Sequence, residues 1–139
     1  NNKMNEVVYF DAYFRKNIDN SGYSVFGGLE EIVSYLNNVK FDKRDIEYLR
    51  SLKMFDEDFL EYLTNFKFNG DVYSFVDGDI IFPNETCIRV KANLIEAEII
   101  ETDLLNRFNH ASLISTKASR IVSSANGRSV MEKCFRVWC

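Results

Sequence analysis

The sequence predicts an α+β fold, a small antiparallel sheet or meander packed with helices, on three observations. Runs of β-branched and aromatic residues bounded by turn formers recur at residues 7–14, 23–26, 72–76, 80–82 and 86–90. Apolar residues at helical spacing fill the interval between the second and third runs. Residues 94–125 hold neither Gly nor Pro, so a long helical stretch follows the last strand.

The first strand is expected over Glu6–Arg15, where Val7-Val8-Tyr9-Phe10 suits an extended segment partly buried on both faces. Turn formers from Lys16 to Gly22 end it, and Tyr23-Ser24-Val25-Phe26 resumes as a second strand, read as a neighbour of the first. Gly27-Gly28 closes this unit. Leu29, Ile32, Val33 and Leu36 place one apolar stripe on a first helix. Asp42 with Asp45, and then Asp56, are start signals for two more helices carrying Ile46 and Leu49, and Phe59, Leu60 and Leu63.

Gly70 resets the period to two. Val72, Ser74 and Val76 alternate with Tyr73 and Phe75, and Asp77-Gly78 reads as a hairpin turn into Ile80-Ile81-Phe82. Pro83-Asn84-Glu85 punctuates before a strand at Thr86–Val90, which completes a predicted β-meander. Asn93 with Glu96 resembles a capping box. The run beyond it exceeds ordinary helix lengths, so two helices are expected with a break near Asn109-His110, the second ending at Asn126-Gly127.

Composition bounds the function classes. With 46% hydrophobic residues, twelve Phe and seven Tyr, the chain is rich enough in large side chains to bury a core. The net charge of −4 arises from dispersed charges with no Lys/Arg block, which disfavours nucleic-acid binding. No apolar run has membrane-spanning length and no signal-peptide core follows Asn1-Asn2-Lys3-Met4, so a soluble cytoplasmic protein with no membrane partner is expected. Cys87, Cys134 and Cys139 have no metal-ligand or redox spacing and are read as reduced thiols. The lone His110 defines neither a triad nor a metal centre. Asp77, Asp79 and Glu85 cluster at the hairpin, where turn formation accounts for them without metal.

Several blocks in order carry a family resemblance. They are Val8-Tyr9-Phe10-Asp11-Ala12-Tyr13-Phe14-Arg15-Lys16-Asn17, Gly27-Gly28-Leu29-Glu30-Glu31, Asp45-Ile46-Glu47-Tyr48-Leu49-Arg50-Ser51-Leu52 and Phe66-Lys67-Phe68-Asn69-Gly70-Asp71-Val72. Gly78-Asp79-Ile80-Ile81-Phe82-Pro83-Asn84-Glu85, Glu101-Thr102-Asp103-Leu104-Leu105-Asn106 and Ser112-Leu113-Ile114-Ser115-Thr116-Lys117-Ala118-Ser119-Arg120 follow. Together they resemble the nicotinate phosphoribosyltransferases, over about Val7 to Glu132.

The resemblance implies the N-terminal part of a type II phosphoribosyltransferase, lacking the α/β barrel, in a family that forms nicotinate mononucleotide from nicotinate and phosphoribosyl pyrophosphate. It further implies ATP hydrolysis with Mg2+, a place in NAD salvage, and homo-oligomers with active sites at the subunit interface. No residue here matches the family's phosphorylated barrel histidine, so no catalytic residue is assigned and the isolated chain is expected to be inactive. Apolar surface meant for the barrel is expected on the helices from Leu94 onward, and with it self-association. Residues 1–132 are read as the family domain and 133–139 as a non-family tail. Codons permitted for Cys134-Phe135-Arg136-Val137-Trp138-Cys139, read one base later, can spell V-L-E-F-G-A, which contains the E-F-G of the family's next motif, so a frameshift is the expected origin of the tail.

The candidate substrate-binding residues fall into three pairs. Arg15 and Lys16 follow a strand and read either as holding a polyphosphate or as a solvated charged strand end; by the resemblance, related pyridine phosphoribosyltransferases place basic residues of this strand end against phosphates of the neighbouring site. Thr102 and Asn106 lie one helical turn apart and either line a pocket or bond another helix. Thr116 and Arg120 share a face with similar spacing, beside Lys117, and read either as anion contacts or as structural partners of Glu98 and Glu101 on a preceding helix. Two alternatives stay open: a non-catalytic dimerisation or phosphate-binding module, and a nicotinamide phosphoribosyltransferase.

Overall fold

The computed structural model describes residues 6–17 and 21–130, so the expected tail lies outside the described residues. The elements run β1 (Val7–Ala12), β2 (Ser24–Val25), α1 (Leu29–Asn38), α2 (Lys43–Ser51), α3 (Glu57–Thr64), β3 (Asp71–Ser74), β4 (Ile80–Ile81), β5 (Ile88–Asn93) and α4 (Leu94–Ala125). The α+β class holds: a small antiparallel sheet packed with helices, with no closed barrel among the described residues.

The strand pairing differs from the expected meander. β5 is the centre of a three-stranded antiparallel sheet ordered β1-β5-β3, while β2 and β4 form a separate two-stranded ladder. The first two strands are therefore not neighbours. β1 instead lies along β5 from Val7 opposite Asn93 to Ala12 opposite Ile88. The Asp77-Gly78 turn does form, with Gly78 at φ 98° and the Asp79 N–H on the Val76 carbonyl at 3.1 Å. It hands the chain to β2 rather than folding it back on β3, because Phe26 exchanges backbone bonds with Asp79 and Gly78 at 2.8 and 3.0 Å. Phe26 is fully buried and Ile81 nearly so, and joining these two apolar residues under the core outweighs the local hairpin geometry. A turn signal specifies a reversal, not a partner strand.

β1 alternates rather than being half-buried on both faces. Val8, Phe10 and Ala12 face the core, whereas Val7, Tyr9 and Asp11 point outward beside Arg89 and Lys91 of β5. Arg89 clasps Asp11 through two bonds of 2.7 Å, and Lys91 sits 3.6 Å from Asp71 of β3. The outer face is thus a cross-strand ladder of opposite charges and tyrosines.

Three carboxyls are held below their ordinary range: Asp11 chiefly by its bond from Arg89, Asp42 by the Asp45 backbone N–H, and Glu57 by Arg50. Each binds fewer protons folded than unfolded near its usual value, so its stabilisation is complete above that value and is lost as pH falls through the depressed one. Denaturation midpoints should therefore fall as pH drops below the ordinary values of 4.5 for Glu57 and 3.8 for Asp11 and Asp42. Asp11→Asn should make that fall shallower; an unchanged acid slope would remove Asp11 from the account.

The helix starts differ in mechanism. Asp42 forms a full capping box with Asp45, as the sequence predicts. Asp56 occupies the N-cap of α3 without a side-chain bond. At α4, Asn93 is the N-cap but does not cap with its side chain, and Glu96, expected to reciprocate, turns inward to accept the Asn69 N–H at 3.3 Å. α1 begins at Gly28, which has no side chain to offer, and the Leu29 N–H is taken from a distance by Asp77 Oδ1 at 3.0 Å. Asp79 and Glu85 accept backbone N–H groups three residues away, from Val76 and Phe82, so these two serve their own turns as expected, whereas Asp77 serves the start of a helix 48 residues away.

α4 is one helix of 32 residues, unbroken at Asn109-His110, and ends at Asn126 in the left-handed conformation with Gly127 following. Ala97, Ile100, Leu104, Phe108, Ser112 and Thr116 form its buried stripe. The stripe turns from apolar to hydroxyl halfway along, and that change mimics an ending when only hydrophobicity is followed. The core beneath it joins Ile88, Val90 and Ala92 of β5 to Phe26, Ile32, Phe66 and Ile81, with a smaller cluster of Ile46, Leu60 and Leu63 under α2 and α3.

Candidate functional site

β1 ends at Ala12, and the next residues are pinned before the chain reaches its cations. The Cys87 N–H donates to the Ala12 carbonyl at 2.8 Å and the Asn84 N–H to the Phe14 carbonyl at 2.7 Å. The Phe14 ring packs on Phe108 of α4 with centroids 4.8 Å apart, and Phe108 in turn on Phe26 at 5.5 Å. Arg15 and Lys16 follow directly. Both are exposed and neither enters an ion pair among the described residues. Two free guanidinium and ammonium groups on an anchored backbone form an arrangement suited to an anion.

Beyond them the chain is held against the C-terminal half of α4 by a polar seam. Ser112 Oγ accepts the Gly27 N–H at 3.2 Å and donates to the Gly27 carbonyl at 3.4 Å. Thr116 Oγ1 accepts the Val25 N–H at 2.9 Å and donates to the Ser112 carbonyl at 2.6 Å. Arg120 Nη2 donates to Ser21 Oγ and, at 3.4 Å, to the Tyr23 carbonyl. The rungs match because four helical residues rise about 6 Å and two extended residues about 6.6 Å. Residues 112, 116 and 120 therefore meet 27, 25 and 23 in antiparallel order.

The seam continues back toward the cations. Ser21 Oγ donates to the Tyr23 carbonyl at 2.7 Å, and Asn17 Nδ2 donates to the Ser21 carbonyl at 2.6 Å. Asn17 Oδ1 is buried without a hydrogen-bond partner among the described residues. Close approach of the backbone to α4 needs glycine at the top of the seam: a Cβ on Gly27 would fall 3.1 Å from the Ala111 carbonyl oxygen.

The structure thus ties two of the six candidates, Thr116 and Arg120, into one bonded seam. Arg15 and Lys16 make none of its bonds and adjoin it through the chain, directly before Asn17. Thr116 is fully buried with both hydroxyl bonds made inside the chain. Arg120 bonds the segment after residue 20 rather than Glu98 or Glu101, which sit on the same unbroken helix about 28 Å or more away along its axis. Thr102 and Asn106 are exposed on the opposite face of α4, two residues or about 200° from the Leu104–Phe108 stripe. Ser112, Ser21 and Asn17 were not singled out by sequence reading. The available signal was the recurrence of Ser112, Thr116 and Arg120 at every fourth residue, in phase with Leu104 and Phe108.

Among the described residues no group of three His, Cys, Asp or Glu stands together as a metal cage, and no helix is long and apolar enough to cross a membrane. Cys87 is buried, free of any disulfide, and its thiol is pushed up to about 11 chiefly by that burial.

Comparison with known proteins decides the lineage. Residues 1–109 match the family model described as the nicotinate phosphoribosyltransferase N-terminal domain. The chain belongs to the nicotinate phosphoribosyltransferase family. It is 37% identical over 130 residues to nicotinate phosphoribosyltransferase pncB2 of Mycobacterium tuberculosis, covering 94% of this chain and 28% of that protein. Against the nicotinate phosphoribosyltransferase of Bacillus subtilis the identity is 46% over 112 residues, 81% of this chain and 23% of that one. The crystal structure of human nicotinic acid phosphoribosyltransferase has the same fold over 97% of this chain and 28% of its own, with a TM-score of 0.86 at 24% identity. The chain therefore spans about a quarter of the length of these family members and corresponds to their N-terminal domain.

Proposed function

We propose that this domain serves an enzyme that makes nicotinate mononucleotide from nicotinate and phosphoribosyl pyrophosphate in NAD biosynthesis. The observation that carries the proposal is the exposed Arg15-Lys16 pair on an anchored strand end, without an ion-pair partner among the described residues, in a chain of this family. Two fixed cations stabilise a leaving pyrophosphate by charge without any reorganisation at the moment of transfer. Thr102 and Asn106, on the outward face of α4, are proposed to border the pyridine pocket.

ATP would supply the hydrolysis that drives the transfer, and Arg15 and Lys16 have the chemistry to contact its phosphates. Magnesium would enter with those phosphates rather than in a cage of protein carboxylates. The enzyme is proposed to be cytoplasmic and homo-oligomeric. Ile121 and Val122, 44% and 60% exposed near the end of α4, are apolar surface suited to a barrel or a second subunit. On its own the domain is expected to be inactive, because positioning of the ribose and its ring carbon requires groups it lacks.

The test is a chimera in which residues 7–130 of this chain replace the matching segment of the Bacillus subtilis enzyme. It should form nicotinate mononucleotide from nicotinate in preference to nicotinamide, and Arg15→Ala/Lys16→Ala should raise KM for phosphoribosyl pyrophosphate. A folded chimera that prefers nicotinamide, or that makes no product, overturns the proposal in favour of the nicotinamide branch or a non-catalytic module.

A further inference from the structure

We infer that Arg120 is a positioning residue for the Arg15-Lys16 pair, acting through Ser21, Tyr23 and Asn17 rather than by touching substrate; the inference rests on the phosphate reading of that pair. The seam has three rungs of unequal kind. Ser112 and Thr116 are fully buried hydroxyls bonding backbone of β2 and its flank, so they belong to the core. Arg120 is part-buried and is the rung nearest the cations. Its guanidinium reaches a side-chain hydroxyl and a carbonyl together, Ser21 Oγ and the Tyr23 oxygen, which fixes both position and orientation of that backbone.

From Ser21 the tie runs to Asn17, whose Nδ2 holds the Ser21 carbonyl at 2.6 Å. Asn17 is the residue after Lys16. On the other side, Phe14 is locked to Phe108 and to the Asn84 N–H. Arg15 and Lys16 thus stand between two anchors, one aromatic and placed midway along α4, the other polar and placed three turns further on. Removing the polar anchor leaves the strand end attached by one side only. Charges on a backbone free to swing bind an anion less tightly than charges held in place, since the ordering must then be supplied on binding.

Both bonds leave one nitrogen, Arg120 Nη2, so a lysine ammonium, which has three donors on one nitrogen, keeps part of the tie where its shorter stem reaches.

The experiment uses the 139-residue chain, with inorganic pyrophosphate as probe and backbone 15N relaxation as readout. In the native chain the amides of Lys16, Asn17 and Tyr23 should be as ordered as the strands, with order parameters of about 0.85. Arg120→Ala should lower them toward about 0.6 or below while Val25 and Ile88 stay rigid. Arg120→Lys should recover part of the order. Pyrophosphate binding, detected at the Arg15 and Lys16 amides, should weaken about tenfold in Arg120→Ala, the scale of one charge-assisted contact, and vanish in Arg15→Ala/Lys16→Ala.

Should Arg120→Ala fail to fold, Ser21→Ala decides, because it deletes the acceptor and leaves the helix intact; it should reproduce the loss of order. Unchanged order at Lys16 and Asn17 in the folded variants overturns the inference. A native chain that does not bind pyrophosphate removes the phosphate reading of Arg15 and Lys16, and the positioning of their backbone by Arg120 is then judged on the relaxation data alone.

Discussion

Phe108→Ala should cost about 3–5 kcal/mol of folding stability, the range for emptying a fully buried aromatic site. Phe108 has no exposed surface, and its ring bridges Phe14 at 4.8 Å and Phe26 at 5.5 Å. Each tilted ring contact adds stabilisation beyond simple burial. The neighbours cannot collapse into the gap, because Phe26 is tied to Asp79 and Gly78 by backbone bonds and Phe14 to Asn84. Urea denaturation of the purified chain measures the loss. A second consequence is local: with its ring unsupported, Phe14 no longer anchors the cations that follow it, so pyrophosphate binding should weaken even where the chain remains folded. A loss below about 1 kcal/mol would mean that the three rings are not the centre of the core.

Gly28→Ala should be the most damaging of the small substitutions, and comparison with Gly78→Ala separates its two causes. Both glycines have nearly the same left-handed backbone, φ 97° and 98°. Around Gly78 nothing lies within 4 Å of an added Cβ, whereas at Gly28 that atom would sit 2.7 Å from Ala111 Cβ and 3.4 Å from the Arg107 carbonyl oxygen. Gly78→Ala should therefore cost only the conformational penalty, about 1–2 kcal/mol. Gly28→Ala adds a clash against a rigid helix, worth roughly another 1–3 kcal/mol. It also pushes the start of α1 away from α4 and strains the Gly27–Ser112 rung one residue earlier. Equal losses at the two positions would show that α4 yields to the added methyl group and that the close approach is not needed.

Much of the local structure was legible because its causes are local. The Asp42–Asp45 box, the three short helices, the Asp77-Gly78 reversal and the Asn126-Gly127 helix end each depend on residues a few positions apart. Legibility failed where the partner was remote. Asn93-x-x-Glu96 has the spacing of a capping box, but Glu96 bonds Asn69 from 27 residues away. Asn109-His110 has the composition of a break, but Phe108 and Ser112 on either side are both held in the interior by the β2 region. Of the candidate site, the cations Arg15 and Lys16 could be picked out as exposed charges after a strand. The bonded seam that they adjoin could not, since its members are spread over residues 17 to 120.

The sequence by itself determined the α+β class, the order of helices and strands, and the family, because composition, periodicity and ordered motif blocks act through short-range preferences that the chain carries wherever it goes. Only the tertiary structure decided that β5 lies between β1 and β3, that β4 leaves its hairpin for β2, and that α4 runs unbroken. Each of those outcomes depends on which distant apolar surfaces and backbone groups are removed from water together, and the balance between such pairings is struck between segments many residues apart.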